Sequence, residues 1–196
     1  MTAHNRPSRP DTSPAFFERL YQRSEDPWNF RHSAYERDRY RAIVASIGDR
    51  QYRSAFEPGC AIGELTAMLA PHCQSLEAID FSASAVKTAR HRCRDYPQVN
   101  VHQGALPEDV PARLCDLIVF SEIGYYFTPD ELESLVFQLW SILEPGGHLI
   151  ACHWLGHSED HPLHGKEVHD IMDRVIGTQA DLTFPDHGYT LQRWSK

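Results

Sequence analysis

The sequence predicts an α/β protein in which strands and helices alternate along the chain. Three observations support this prediction: alternating short apolar and amphipathic segments from residue 53 onward, a nearly continuous apolar segment at 114–121, and the glycine-rich turn EPGCAIGE at 57–64. Strands that alternate with helices form a parallel sheet, and a strand that is covered on both faces is apolar throughout. A chain of 196 residues is long enough for one such domain and too short for two.

Composition excludes several classes of protein. The formal net charge of −8 and the lack of clustered Lys and Arg argue against nucleic-acid binding, which requires neutralised phosphates. No apolar run reaches membrane-spanning length, and the start of the sequence has no apolar signal core. The five cysteines lack CxxC spacing, which suits reduced thiols in the cytosol. We therefore expect a cytoplasmic protein that binds neither nucleic acid nor membranes.

The N-terminal part of the chain divides into a leader and a helical segment. Residues 1–13 are rich in proline and polar residues, so we expect a disordered leader, followed by a single domain at 14–196. Within that domain, residues 14–48 predict two helices interrupted at Asp26-Pro27, because proline disfavours helical geometry in the residue before it.

The second of these helices has a start signal and an apolar face. Ser33, followed three residues later by Glu36, is a capping-box signature. The apolar residues that share one helical face are Tyr40, Ile43, Val44 and Ile47. The protein thus begins with helices rather than with a strand.

The first half of the predicted sheet follows directly. Periodicity predicts strands at 53–57, 75–80 and 98–103, with helices at 63–70 and from Ser82 to about Arg94 between them. Ser82 is a plausible N-cap, because its hydroxyl can accept a hydrogen bond from a free backbone amide of the helix.

The second half continues this alternation. The apolar strand at 114–121 should be central, and the sequence from Thr128 to Glu131 combines an N-cap, a proline and a capping-box glutamate at a helix start. We expect this helix to continue to Gly146-Gly147. The elements predicted after it are a strand at 148–154, a helix at 168–176 and two short strands at about 181–185 and 189–194, around a turn at 186–188.

The turn after the first strand departs from the dinucleotide-binding pattern. That pattern requires small residues at the first, third and sixth positions, which are Gly59, Ala61 and Glu64 here. A glutamate at the sixth position would repel a diphosphate at the helix N-terminus. A nicotinamide cofactor is therefore disfavoured.

The stretch from Glu57 to Gly63 instead resembles motif I of the class I S-adenosylmethionine-dependent methyltransferases, whose cofactor carries no phosphate. Gly59 and Ala61 would let the backbone pass close to the cofactor, and Glu57 could balance its methionine amine. Asp80 ends the second strand about twenty residues later, where a carboxylate can bind ribose hydroxyls. The resemblance implies a Rossmann-like methyltransferase fold, with a mostly parallel seven-stranded sheet and an antiparallel C-terminal strand.

Further segments narrow the resemblance to the nodulation protein S group. They are DPWNFRHSAYERDRY, FEPGCAIGELTAMLAPHC, ALPED, SEIGYYF and CHW, and the similarity covers nearly the whole chain after residue 14. Members of that group methylate the free amine of a chitooligosaccharide that has lost its terminal acetyl group. The resemblance implies S-adenosylmethionine as cofactor and an amino-sugar or other small amine as acceptor. The alternatives are a methyltransferase for another small molecule and a non-catalytic protein that binds the cofactor and acts by interaction.

The resemblance also implies further cofactor-binding residues. The N-terminal helices at 14–48 would form a lid, in which Arg31 pairs with the methionine carboxylate and Trp28 covers its apolar stem. A surface arginine and a core tryptophan are the structural alternative. The other expected cofactor contacts are Cys60, Gly63, Phe81, Ala105, Leu106 and Ser121.

The expected catalytic residues follow the fourth and fifth strands, because ligands collect at the carboxyl ends of parallel strands. Glu122 could hold the acceptor amine and remove its proton, or it could instead bind the cofactor or cap a backbone amide. His153 is a second candidate base, or a structural histidine. The residues expected at the acceptor are Tyr125, Tyr126, Trp154 and Asp160.

Several histidines between residues 153 and 169, together with Glu159 and Asp160, superficially suggest a metal site. Their spacing matches no compact metal-binding motif, and methyl transfer to an amine requires no metal. We expect none, and we expect the loop to cover the acceptor instead.

Overall fold

The computed structural model describes residues 12–184 and 187–196. Residues 1–11 of the expected leader and Asp186 of the expected C-terminal turn lie outside the described residues. Ser13, the last residue of that leader, is the N-cap of the first helix, and its side chain accepts a hydrogen bond from the Phe16 amide.

The described residues form one seven-stranded sheet. Its strands are β1 (Ala55–Pro58), β2 (Leu76–Asp80), β3 (Val99–Gln103), β4 (Cys115–Ser121), β5 (Leu143–Trp154), β6 (Leu182–Thr183) and β7 (Tyr189–Ser195). Their order is β3-β2-β1-β4-β5-β7-β6, and β7 runs antiparallel to both of its neighbours. The predicted parallel sheet with an antiparallel C-terminal strand is confirmed.

Six α-helices accompany the sheet in the described part of the chain. They are α1 (Pro14–Arg23), α2 (Ala34–Ile47), α3 (Glu64–Leu69), α4 (Ala83–Arg92), α5 (Pro129–Ile142) and α6 (Gly165–Ile176). Ser33 and Ser82 cap α2 and α4, and Thr128 and Glu131 form the predicted capping box of α5. The three N-caps are confirmed because a capping hydrogen bond depends only on residues close in sequence. The capping box predicted for Ser33 and Glu36 is only half formed, since the Glu36 carboxylate pairs with Arg39 instead.

Each face of the central strand β4 packs against a different layer of helices. Ile118 and Phe120 pack in a core that includes α5 and α6, whereas Leu117 and Val119 pack in a core that includes α2 and α3. This alternation explains the apolar character of the whole strand.

Several predicted boundaries were wrong. The helix α5 ends at Ile142 rather than at Gly146-Gly147, and β5 begins five residues earlier than predicted. Leu143 already pairs with Cys115 of β4, before a shift in register. The helix α1 also ends earlier than predicted, at Arg23 rather than at Asp26-Pro27, because Ser24 already has an extended backbone.

Candidate active site

The carboxyl ends of the central parallel strands surround a cavity of about 670 Å³. The strand order reverses direction between β1 and β4, so the loops that follow these two strands diverge and leave a crevice. The wall includes the following expected site residues: Trp28, Gly59, Ala61, Asp80, Phe81, Ala105, Leu106, Ser121, Glu122, Tyr125, Tyr126, Trp154 and Asp160. Residues that are far apart in the sequence therefore meet at one site.

The turn after β1 approaches its neighbours closely. A Cβ on Gly59 would lie 2.6 Å from Ile123 Cγ2, and both Gly59 and Ala61 have positive φ angles, 74° and 49°. Gly63 has another function: a Cβ there would lie 3.0 Å from Ala89 Cα, so this glycine lets α3 pack against α4. It lines neither this cavity nor the smaller one described below.

Asp80 holds this turn to the end of β2. Its Oδ2 accepts a hydrogen bond from the Ala61 amide at 3.0 Å, and its Oδ1 accepts one from the Ser82 amide at 2.9 Å. Burial raises the pKa of Asp80 to about 6, although the two hydrogen bonds oppose this increase. The carboxylate therefore has a structural function as well as a position on the cavity wall.

A smaller cavity of about 50 Å³ lies beneath the turn and is lined by Glu57, Cys60 and Arg39 among other residues. Glu57 is almost completely buried, and its Oε2 has no hydrogen-bond partner among the described residues. Burial raises the pKa of Glu57 to about 8. Near neutral pH this carboxyl group would therefore be largely protonated unless a cation lay beside it.

Arg39 lines both cavities, and we did not predict this residue from the sequence. Its Nη2 bonds to the Glu36 carboxylate, and its Nη1 lies 2.6 Å from Glu122 Oε2. Its Nε is buried without a hydrogen-bond partner in the described part of the protein. The sequence signal that could have identified Arg39 is its position one helical turn before Ile43, on the buried face of α2.

Arg31, the arginine that we selected from the sequence, does not line either cavity. It lies 3.4 Å from Glu25 and 3.6 Å from Glu64. Trp28, its expected companion, does line the larger cavity and packs against Phe17 and Tyr21. Of these two arginines, Arg39 rather than Arg31 therefore lies on the cavity walls.

Glu122 is surrounded by hydrogen-bond donors. Oε1 accepts from the Trp154 amide at 2.6 Å, and Oε2 accepts from the Tyr125 hydroxyl at 3.0 Å and pairs with Arg39. Both oxygens of this carboxylate are therefore already engaged by donors from three other residues. This arrangement supports the alternative in which Glu122 caps a backbone amide.

His153 lies behind the cavity wall and is completely buried. Its Nε2 accepts a hydrogen bond from the Gly124 amide at 3.0 Å, so Nδ1 carries the proton and donates to His169 Nε2 at 3.2 Å. His169 Nδ1 in turn donates to Gln192 at 2.6 Å. Burial lowers the pKa of both histidines, and both nitrogens of His153 are engaged, which supports the structural alternative for His153.

The far end of the cavity is lined by aromatic side chains. His161 stacks on Tyr125 with ring centroids 3.8 Å apart, and it contacts the ring of Tyr126 edge to face at 5.0 Å. Trp154 and Asp160 lie on the same wall. His161 belonged to the histidine cluster in the sequence, but we assigned it no function.

The helix α1 is anchored beside the cavity by Glu18. The Glu18 carboxylate accepts hydrogen bonds from the hydroxyls of Ser82 and Ser84, at 2.5 and 2.6 Å, at the N-terminus of α4. These hydrogen bonds lower the pKa of Glu18 to about 2. The anchor places Phe17 of α1 on the cavity wall, close to Phe81.

Two further findings concern the described residues as a whole. Among residues 12–184 and 187–196, no three His, Cys, Asp or Glu side chains are grouped so that they could hold a metal ion. His164 instead caps α6 and bonds to the Leu155 carbonyl group. No helix in the described residues is long and apolar enough to cross a membrane.

The fold is the Rossmann-like fold of methyltransferases. The structure of N-methyltransferase NodS from Bradyrhizobium japonicum WM9 with S-adenosyl-L-homocysteine matches with a TM-score of 0.78 and 23% identity, covering 92% of this chain and 96% of that one. A Pseudomonas syringae structure assigned to a methyltransferase is 37% identical, with a TM-score of 0.73, and the match covers 84% of this chain and all of that one.

The chain belongs to the Nodulation protein S (NodS) family, whose profile matches residues 13–157. Nodulation protein S from Rhizobium tropici is 33% identical over 129 residues, which cover 65% of this chain and 54% of the relative. The corresponding protein from Sinorhizobium fredii is 32% identical over 129 residues, covering 65% of this chain and 60% of the relative. The chain thus spans a little over half the length of the curated relatives it matches.

Proposed function

We propose that this protein is an S-adenosylmethionine-dependent methyltransferase that methylates the free amine of a small acceptor. The amine of a deacetylated chitooligosaccharide, or of a similar amino-sugar, is the first acceptor to test. One observation carries the proposal. Among the described residues, Glu57 Oε2 and Arg39 Nε are buried without a partner in good hydrogen-bonding geometry, although the Thr66 hydroxyl lies near Glu57 and the Tyr40 hydroxyl near Arg39, and both residues line the small cavity under the motif I turn.

These two unpaired atoms fit the amino-acid end of the cofactor. Buried polar groups are normally hydrogen-bonded, and an unsatisfied one costs about 1–3 kcal/mol. A methionine moiety carries an ammonium group that could donate to Glu57 and a carboxylate that could accept from Arg39. A zwitterion would therefore satisfy both residues, whereas a neutral ligand or a diphosphate would not.

The rest of the wall fits the adenosine part. Each oxygen of the Asp80 carboxylate accepts one hydrogen bond from a backbone amide. Because a carboxylate can accept about four hydrogen bonds, Asp80 can still accept from ribose hydroxyls. Beyond Asp80, the wall continues through Phe81, Ala105 and Leu106. A largely apolar surface with one backbone edge suits an adenine ring.

S-adenosylmethionine supplies a methyl group on a positively charged sulfur, and transfer to an amine depends mainly on alignment. In the proposed mechanism, Glu57 and Arg39 fix one end of the cofactor and Asp80 fixes the middle. The aromatic wall formed by Tyr125, Tyr126 and Trp154 holds the acceptor. Such rings also suit the apolar face of a sugar.

Calorimetry tests the cofactor part of the proposal. We expect S-adenosylhomocysteine to bind, NAD not to bind, and 5′-methylthioadenosine, which lacks the amino-acid group, to bind more weakly. The R39Q variant should lose most of the preference for S-adenosylhomocysteine over methylthioadenosine. The R41Q variant, which alters an exposed arginine of the same helix, should retain it. Absence of S-adenosylhomocysteine binding would contradict the proposal.

Turnover tests the acceptor part. We expect S-adenosylhomocysteine to be released with a chitooligosaccharide carrying one free amine, and not with the fully acetylated oligosaccharide of the same length. Release with other amines but not with the sugar would indicate a different acceptor. Tight cofactor binding without release on any amine would favour the non-catalytic alternative.

A further inference from the structure

The wall at the acceptor end contains an imidazole in a fixed orientation. The His161 ring lies parallel to Tyr125, with an interplanar angle of 13°, and nearly perpendicular to Tyr126, at 83°. Trp154 contacts it at 6.3 Å between ring centroids. Three rings from two other parts of the chain therefore position His161 on the cavity wall.

The ring nitrogens of His161 remain available. Within residues 12–184 and 187–196, the only hydrogen bond of His161 is made by its backbone amide, to the Ser158 carbonyl group. The two residues that we considered as bases from the sequence are both engaged: Glu122 accepts from three donors, and His153 uses both ring nitrogens. His157 also lines the cavity but is exposed, and within the described part of the chain its ring makes no contact with this wall.

The surroundings favour the neutral form of His161. Partial burial lowers its pKa, and the nearby His157 and His164 act in the same direction, while Asp160 opposes them. The other titratable groups packed against the ring are the hydroxyls of Tyr125 and Tyr126, whose pKa values are raised, so both are neutral at ordinary pH. A neutral imidazole can accept a proton, whereas a protonated one cannot.

We propose that His161 is a catalytic residue that accepts the proton of the acceptor ammonium group. This inference rests on the proposed function and adds the identity of the base. The ammonium N–H bond breaks and its proton moves to a ring nitrogen of His161, leaving a lone pair on the acceptor nitrogen. The nitrogen–methyl bond then forms as the sulfur–methyl bond breaks, and that electron pair stays on sulfur. The product is a methylammonium ion, and His161 returns its proton to solvent through the open cavity.

Two variants separate proton acceptance from packing. H161F keeps a flat ring on Tyr125 but has no nitrogen, and H161A removes the ring and leaves space for added imidazole. At pH 7 and saturating substrates we expect H161F to lower kcat by about a hundredfold, because a positioned base contributes about 10²–10⁴. Affinity for S-adenosylhomocysteine should change less than twofold. H91A, at an exposed histidine of α4, is the control and should match the wild type.

The pH profile and chemical rescue give the sharpest test. In the wild type, kcat should rise with pH to the pKa of His161 and then level off. In H161F the rise should continue tenfold per pH unit up to the pKa of the amine itself. Added imidazole should restore activity to H161A but not to H161F, which a purely structural function would not produce.

The outcomes distinguish this inference from the proposed function. If the wild type methylates amines and H161F retains its rate and pH profile, His161 is not the base, while the proposed function stands. If H161A is inactive and imidazole restores nothing, whereas H161F is active, His161 contributes packing only. If the wild type methylates no amine, both proposals are overturned.

Discussion

Arg39 Nη1 on α2 lies 2.6 Å from Glu122 Oε2, immediately after β4. The pair joins the N-terminal helices to the carboxyl edge of the sheet across 83 residues of sequence. Glu122 has a φ angle of 61°, which is unusual for a residue with a side chain, and its contacts with Arg39, Tyr125 and Trp154 compensate for this conformation.

Replacing Glu122 by Gln should lower stability without moving the pH profile of methyl transfer. Gln keeps the shape but leaves the buried Arg39 with one carboxylate fewer, which we expect to cost about 1–3 kcal/mol of unfolding free energy. Urea unfolding measures this cost, and D38N, at an exposed ion pair of the same helix, is the control. A shift of the low-pH limb of kcat in E122Q would show that Glu122 handles the proton.

Cofactor affinity should increase with pH up to about pH 8. The pKa of Glu57 is raised to about 8 in the free protein, so binding an ammonium group beside it below that pH requires release of a proton. We expect Kd to fall by up to about tenfold per pH unit between pH 6.5 and 8. This range lies above the pKa of Asp80, at about 6, so Asp80 does not contribute to the change.

Calorimetry in buffers of different ionisation enthalpy would detect the released proton. Methylthioadenosine lacks the ammonium group and should show no such dependence, and E57Q should lose it for S-adenosylhomocysteine. A pH-independent affinity in the wild type would mean that Glu57 does not face the amine.

Replacing Asp80 by Asn should weaken S-adenosylhomocysteine binding by about 1–3 kcal/mol, because an amide NH₂ would face a backbone N–H donor of Ala61 or Ser82. Asp116 provides a matched control. Its carboxylate also accepts from two backbone amides, those of Arg53 and Ser54, but it lies at the opposite edge of the sheet. D116N should therefore lose stability without losing affinity, and equal affinity losses in the two variants would remove Asp80 from the binding site.

The contact of Glu18 with Ser82 and Ser84 should protect the N-terminal segment from proteases. E18Q should increase the rate of tryptic cleavage after Arg23 several-fold and weaken cofactor binding, because α1 would detach from Ser82 and Ser84. E25Q, at an exposed pair, should cleave at the wild-type rate. Because the pKa of Glu18 is lowered from 4.5 to about 2, the contribution of this contact to stability is full above pH 4.5 and declines as pH falls from 4.5 towards 2. Unchanged cleavage in E18Q would show that other contacts hold the helix.

The sequence by itself determined what depends on near neighbours in the chain. The capping box of Thr128 and Glu131 and the apolar alternation of β4 need only short-range spacing, and the motif I turn with Asp80 is likewise a local pattern. Such patterns were sufficient to predict the sheet and the order of its elements. Local signals were weakest at the end of α5, where pairing of Leu143 with β4 overrides the helix-stop signal of the two glycines.

Only the tertiary structure decided which polar side chains are available for chemistry. Arg39 rather than Arg31 lines the cavity because α2 packs on the sheet and brings its buried face to Glu122. His153 is engaged by Gly124 and His169, while His161 is left with uncommitted ring nitrogens among the described residues. Whether a side chain can accept a proton depends on its burial and on the donors around it, and those donors come from distant segments that meet only when the chain folds.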